Sequence, residues 1–150
     1  MNKTMRYRDT GQLHKDFHRT TNGTIAYLRK TYGVEMVDGV LRRMAKDVYR
    51  AIRDDLKSGN PDHLVEHWTY YLEREGGDYT VERIGDEIRV HVIRCPAAEY
   101  LKHKGIPIDP AFRRQTTVLN EALCEDTPFE VTTEVIDDFE YIETIRPRPT

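Results

Sequence analysis

The chain has 150 residues, 33% of them charged and 38% hydrophobic, with a formal net charge of −3. That length suits one domain with a real core, and no apolar run approaches the roughly 20 residues of a membrane helix. The negative balance argues against nucleic acid as a partner, and the basic N-terminus lacks the apolar stretch of a secretion signal.

Residues 1–10 read as a loose arm. From Gln12 to Tyr32 the apolar residues Leu13, Phe17, Ile25, Leu28 and Tyr32 fall at helical spacing, with Asn22-Gly23 as a point where the helix could split. Gly33 is a helix stop. Val34, Val37, Leu41, Met44, Val48, Ile52 and Leu56 form one apolar stripe, which predicts a long helix ended by Ser58-Gly59-Asn60-Pro61. Core packing or a helix-mediated homodimer would each use that stripe. Asp62 can cap a third helix over His63 to Glu75, with Leu64, Trp68, Tyr71 and Leu72 inward and Gly76-Gly77 after it.

The period then changes. Tyr79 to Ile84 and Glu87 to Cys95 alternate around Gly85-Asp86, which predicts a hairpin. Pro96 to Lys104 reads as a short helix opened by proline. Gly105 to Pro110 is a loop. Ala111 to Cys124 reads as another helix, with Phe112, Leu119, Ala122 and Leu123 inward. Phe129 to Ile136 and Phe139 to Ile145 make a second hairpin around Asp137-Asp138. The tail from Arg146 is not expected to continue the sheet.

This order predicts an α+β fold of N-terminal helices followed by a ββ-αα-ββ unit. The unit would form a four-stranded antiparallel sheet covered by helices on one face. One domain over 1–150 is expected, with loose termini at 1–10 and 147–150. The second hairpin would return beside the first and leave a pocket between sheet and helices.

The sharpest chemical feature is Arg94-Cys95-Pro96-Ala97-Ala98-Glu99-Tyr100. It places a thiol at a strand-to-helix junction, near the free N–H groups of a helix start, where a thiolate or an anion is favoured. The alternative is a half-buried cysteine that fills space. Strict alternation puts Arg89, His91, Ile93 and Cys95 on one face, and Ile88, Val90, Val92 and Arg94 on the more apolar one. His91 and Cys95 would then be about 13 Å apart along the backbone, too far to pair. A twist or bulge near Cys95 would change its face.

Glu66, His67 and Tyr70 fall within one helical turn. His63-Leu64-Val65-Glu66-His67 matches the short inverted zinc-protease pattern, but a third ligand is missing and no metal is expected. His67 remains a candidate base, and Glu99 a candidate proton handler or anchor. Arg94 and Arg113 could hold a substrate carboxylate. Each of these residues could equally belong to a solvated surface. Cys124, beside Glu125 and Asp126, reads as a structural thiol with a raised pKa. No phosphate loop, dinucleotide fingerprint, serine elbow or Cys-x-x-Cys pair occurs. With two cysteines and no disulfide framework, free thiols and a cytoplasmic location are expected.

Arg94-Cys95-Pro96, Gly105-Ile106-Pro107, the helix through Leu119-Asn120 and Asp126-Thr127-Pro128-Phe129-Glu130 together resemble the L-2-amino-thiazoline-4-carboxylic acid hydrolase family. The resemblance runs from about Trp68 to Arg146. It implies hydrolysis of a cyclic amidine on a helix-then-sheet scaffold. Cys95 is the position that matches a family cysteine. Where members carry others, this chain has Phe112-Arg113-Arg114 and Asp138-Phe139-Glu140-Tyr141. Two functions are therefore expected in competition. In the first, a hydrolase acts on a small cyclic amidine or thiazoline C–N bond, without a cofactor. It uses Cys95 as nucleophile, Glu99 and His67 as proton handlers, and Arg94, Arg113, Tyr70 and His91 to bind substrate. In the second, the same fold is a non-catalytic small-molecule-binding or interaction domain.

Overall fold

Four helices precede the first strand in the computed structural model, which describes residues 14–150. They are α1 (Asp16–Tyr32), α2 (Val34–Asp47), α3 (Arg50–Lys57) and α4 (Asp62–Arg74). The arm expected over residues 1–10, and the predicted helix start at Gln12, lie outside the described residues. Strands β1 (Asp78–Ile84) and β2 (Glu87–Arg94) follow, then α5 (Pro96–His103), α6 (Arg114–Cys124), β3 (Phe129–Val135) and β4 (Tyr141–Pro147). The four strands form one antiparallel sheet in the order β1-β2-β4-β3. The α+β architecture and the return of the second hairpin beside the first are as the sequence predicts.

Several boundaries differ for local reasons. Asn22-Gly23 does not split α1. The Asn22 side chain turns inward instead, donating to Pro107 O at 3.0 Å and accepting from Asp109 N–H at 2.9 Å. The stripe from Val34 to Leu56 belongs to two helices. The N–H groups of Val48 and Tyr49 both donate to Met44 O, at 2.9 and 3.2 Å, and the axis changes there. Val48 is consequently 67% exposed, while Val37, Leu41, Ile52 and Leu56 are buried. Asp62 begins α4 rather than capping it; its N–H donates to Asn60 Oδ1 at 3.0 Å. On α4, Val65 is buried and Tyr71 is 48% exposed, which turns the apolar face slightly from the predicted one. The last predicted helix starts at Arg114, after a turn through Ala111 and Phe112.

Gly33 joins α1 to α2 at φ 95°, a left-handed value that suits glycine. Gly77 matters for space: an added Cβ would stand 3.0 Å from the Pro96 ring. The end of α4 therefore approaches the start of α5 closely. At the far end of the chain, the strand does not stop at Ile145. Pro147 lies opposite Phe129, and Arg148 N–H donates to Pro128 O at 2.8 Å.

Two apolar clusters hold the layers together. One fills the space between the sheet and α3, α4 and α6, and includes Leu56, Leu64, Trp68, Val90, Val92, Leu123 and Ile145. The other joins α1, α2 and α5 to the start of α6 through Ile25, Val37, Leu41, Leu101, Phe112 and Val118. Each fully buried aliphatic or aromatic side chain stabilises the fold by about 1.5–3 kcal/mol relative to exposure. Polar groups close the helix ends. Buried Arg53 on α3 donates to Ala122 O at 2.7 Å and Glu125 O at 2.9 Å, and Arg148 donates to Cys124 O at 2.9 Å. Two cations thus meet the negative end of the α6 dipole. Among the described residues no helix is long and apolar enough to cross a membrane.

Candidate functional site

A cavity of about 690 Å³ lies where the two apolar clusters meet. That size is in the range that holds small organic ligands. Its mouth is apolar, formed by Phe17 and Leu28 of α1, Val40 and Met44 of α2, and Tyr71 of α4. Phe17, Val40 and Tyr71 are exposed, so the mouth opens to solvent. Its floor is polar and comes from β4, where Tyr141, Glu143 and Ile145 point inward by strand alternation. Tyr141 and Glu143 line the cavity together with Cys95, Arg113, Asn120 and Trp68.

Cys95 reaches this floor because of a bulge. Tyr79 pairs with Val92, but Asp78 pairs with Arg94, so Ile93 is an extra residue on β2. One extra residue reverses the alternation that follows it. Arg94 therefore faces outward and Cys95 inward, only 4% exposed, opposite to the face that strict alternation assigns. Cys95 itself precedes α5 in an extended conformation (φ −73°, ψ 117°). Its N–H donates to Phe139 O at 2.8 Å, which fixes the junction to the second hairpin. The Arg113 guanidinium approaches Cys95 Sγ at 3.7 Å and donates to Asp138 O at 2.7 Å. It also lies over the Tyr141 ring, 4.4 Å from the centroid.

Behind Cys95, a chain of hydrogen bonds crosses from α4 to the sheet. Trp68 Nε1–H donates to Asn120 Oδ1 at 3.2 Å, and Asn120 Nδ2–H donates to Glu143 Oε1 at 2.7 Å. Glu143 is 2% exposed. Burial pushes its carboxyl up to about 7, against the opposing pull of the Asn120 bond and the Arg113 charge. Burial also pushes the Tyr141 hydroxyl well above its ordinary range, and the nearby Glu143 adds to this. A carboxyl poised near neutrality can take or give a proton at physiological pH. Glu75, at the end of α4, also lines the cavity and is paired with buried His18 at 2.5 Å.

Of the residues singled out from the sequence, Cys95, Arg113 and His67 line this cavity. His67 stacks edge-on against Tyr49 and Tyr71, with ring centroids 5.1 and 5.2 Å away. The others lie elsewhere. Arg94 and Glu99 pair with each other at 2.9 Å on the outer side of α5, beside Lys102 and His103. His91 bonds Glu140 Oε1 at 2.7 Å on the open face of the sheet. Tyr70 packs edge-on against Tyr71 away from the cavity lining. His63, half of the zinc-like pattern, bonds Asp55 at 2.6 Å. Among the described residues no group of three His, Cys, Asp or Glu side chains stands where it could share a metal ion. Cys124 is buried at the end of α6, and burial, more than the neighbouring carboxylates, pushes its thiol up to about 11.

Glu143, Asn120 and Tyr141 were not among the candidate site residues of the sequence reading. One signal was present: alternation through Tyr141, Glu143 and Ile145 puts a carboxyl on the apolar face of a strand, which is rare without a purpose. A scan against protein-family models and a search of curated proteins found no match for the chain.

Proposed function

We propose that this protein binds a small, partly apolar organic molecule in the cavity between its helices and its sheet. The observation that carries the reading is the cavity's division into an apolar mouth and a buried polar floor. A ligand would place its apolar body among Phe17, Leu28, Val40 and Met44. Its polar group would meet Glu143, Asn120 and Arg113. The uncharged fluorescent probe N-phenyl-1-naphthylamine tests this. Its emission should rise on addition to the protein and stay low with Leu119→Trp, which fills the cavity from α6. No rise, or a rise unaffected by the tryptophan, would sink the reading.

A second reading, hydrolysis of a cyclic amidine, is favoured by Cys95, Arg113 and Glu143 lining one cavity. The Glu143 carboxylate would take the Cys95 proton as Sγ bonds to the central carbon of the protonated amidine and the C=N electron pair moves onto the ring nitrogen, which keeps its own proton. Glu143 returns the Cys95 proton to that nitrogen, which leaves as an amine as the C–N bond breaks and the lone pair of the other nitrogen forms the C=N bond of the thioimidate. Water then displaces the thiol from the thioimidate, leaving an amide. Arg113 would favour the thiolate and hold a substrate carboxylate. In this scheme Glu143 takes the part that the sequence reading gave to Glu99. With Cys124→Ser as background, Cys95 in the folded protein should be alkylated by iodoacetamide faster than a free cysteine under the same conditions. Cys95→Ala should abolish turnover of 2-aminothiazoline-type substrates and leave the fold intact. An inert or ordinary thiol would remove the catalytic reading and leave the binding one standing.

A further inference from the structure

We infer that the cavity selects an apolar amine, with its ammonium group against Glu143 and its apolar body among the aromatic rings above. The inference rests on the cavity being a ligand site and adds the charge of the ligand. Four observations point the same way. First, Glu143 is a carboxyl on the floor whose hydrogen-bond partner is a neutral amide, Asn120. The other acidic residue of the lining, Glu75, already holds His18. Second, the guanidinium that could serve an anionic ligand is engaged. Arg113 donates to Asp138 O and to Cys95 Sγ, and lies against Tyr141. Third, the walls include Tyr49, Trp68, Tyr71 and Tyr141, whose ring faces attract a cation and whose area attracts an apolar body. Fourth, in the empty cavity the cation acting on Glu143 is Arg113, whose guanidinium is bonded to Asp138 O and Cys95 Sγ rather than to the carboxyl. An incoming ammonium supplies a countercharge at the carboxyl itself and converts an unfavourable buried charge into a hydrogen-bonded pair.

Proton linkage follows from the same geometry. Below neutrality the Glu143 carboxyl holds a proton in the empty cavity, as its elevated value implies. An ammonium favours the carboxylate, so binding releases that proton, and affinity weakens as pH falls. The titratable and polar groups that line the cavity with Glu143 are Tyr141 on its own strand, Arg113 and Asn120 beside and on α6, His67 and Trp68 on α4, Glu75 after it, Tyr49 before α3 and Cys95 before α5. Of these, His67 is the other side chain of a type that ionises near neutral pH, so its replacement by Gln is the matching control.

Isothermal titration with three probes of one size tests the proposal: 2-phenylethylamine, 2-phenylethanol and 3-phenylpropionate. At pH 8 the amine should bind about tenfold or more tighter than the alcohol. That preference should shrink by pH 5.5, with proton release at pH 6 seen as a dependence of the heat on buffer ionisation enthalpy. Glu143→Gln should erase the amine preference, with the amine's affinity falling about tenfold or more relative to the alcohol's, whereas His67→Gln, which leaves the floor carboxylate in place, should leave the pH dependence of that preference intact. Tighter binding of the carboxylate would make Arg113 the anchor and overturn the proposal, leaving the ligand site itself in place. An amine preference that survives Glu143→Gln would overturn it as well. If none of the three binds and the naphthylamine probe is also inert, the ligand-site reading falls with it.

Discussion

Replacing Phe112 by alanine is expected to cost about 3–5 kcal/mol of stability, the usual range for a fully buried phenylalanine. Phe112 is 1% exposed. It is the largest side chain of the cluster that joins α1 and α2 to α5 and α6, packed with Ile25, Val37, Leu41 and Leu101. Most other ties between α1 and the rest are polar: His18 to Glu75, Asn22 to the 107–109 loop and Arg29 to Asp109. The half-exposed ones among these contribute little each, because water competes for the same groups. The apolar cluster therefore carries the attachment of the helical roof. A domain of this size has a total stability of about 5–15 kcal/mol, so the loss would be a large share of it. Urea unfolding of Phe112→Ala beside Tyr32→Ala, an exposed control expected to change stability by less than about 0.5 kcal/mol, measures this. A loss below about 1 kcal/mol for Phe112→Ala would mean that the roof is held by something else.

Glu143→Gln should change the pH dependence of stability between about pH 4.5 and pH 8. The folded protein holds this carboxyl up to about 7, against an ordinary value of 4.5. Between those values the native state keeps a proton that the unfolded chain releases. The unfolded state thus binds fewer protons, and stability falls as pH rises through this window. Below about 4.5 the contribution is fully present; above about 7 it is gone. The shift corresponds to about 3 kcal/mol at most. Glutamine has nothing to ionise, and its side-chain oxygen can still accept from Asn120. Relative to the parent, the variant should gain about 3 kcal/mol between pH 4.5 and pH 8. Every other titrating group is common to both proteins and cancels in the difference. Parallel stability curves would show that Glu143 titrates as an ordinary surface carboxyl.

The hairpins and most of the helices were legible in the sequence because they obey local rules. Gly85-Asp86 between alternating runs, Pro96 opening α5 and Gly76-Gly77 closing α4 each act within a few residues. The site was only half legible, because what forms it is not local. Ile93 looks like any strand residue, yet its bulge decides which way Cys95 points. The break at Val48 falls inside an unbroken 3.6-residue pattern, since the pattern continues in phase while the axis turns. Asn22 reads as a turn residue and Asn120 only as part of a helix, and the structure buries both as tertiary linkers. Cys95 and Arg113 could be suspected from residue type. Glu143 could be suspected only by asking why a charge shares a strand face with Tyr141 and Ile145.

The pairing of β2 with β4 has a bearing on when the floor exists during folding. Each hairpin closes over neighbouring residues, a fast event, whereas Ile88 meets Ile145 only after the two halves of the chain come together. Tyr141 and Glu143 lie in the strand that makes this late junction, and Asn120 and Trp68 converge on it from two other elements. A partly assembled chain offers the hairpins but no complete cavity floor. A molecule that bound the finished cavity would therefore hold the folded protein back from unfolding and leave the rate of assembly nearly unchanged, prolonging the life of molecules already folded.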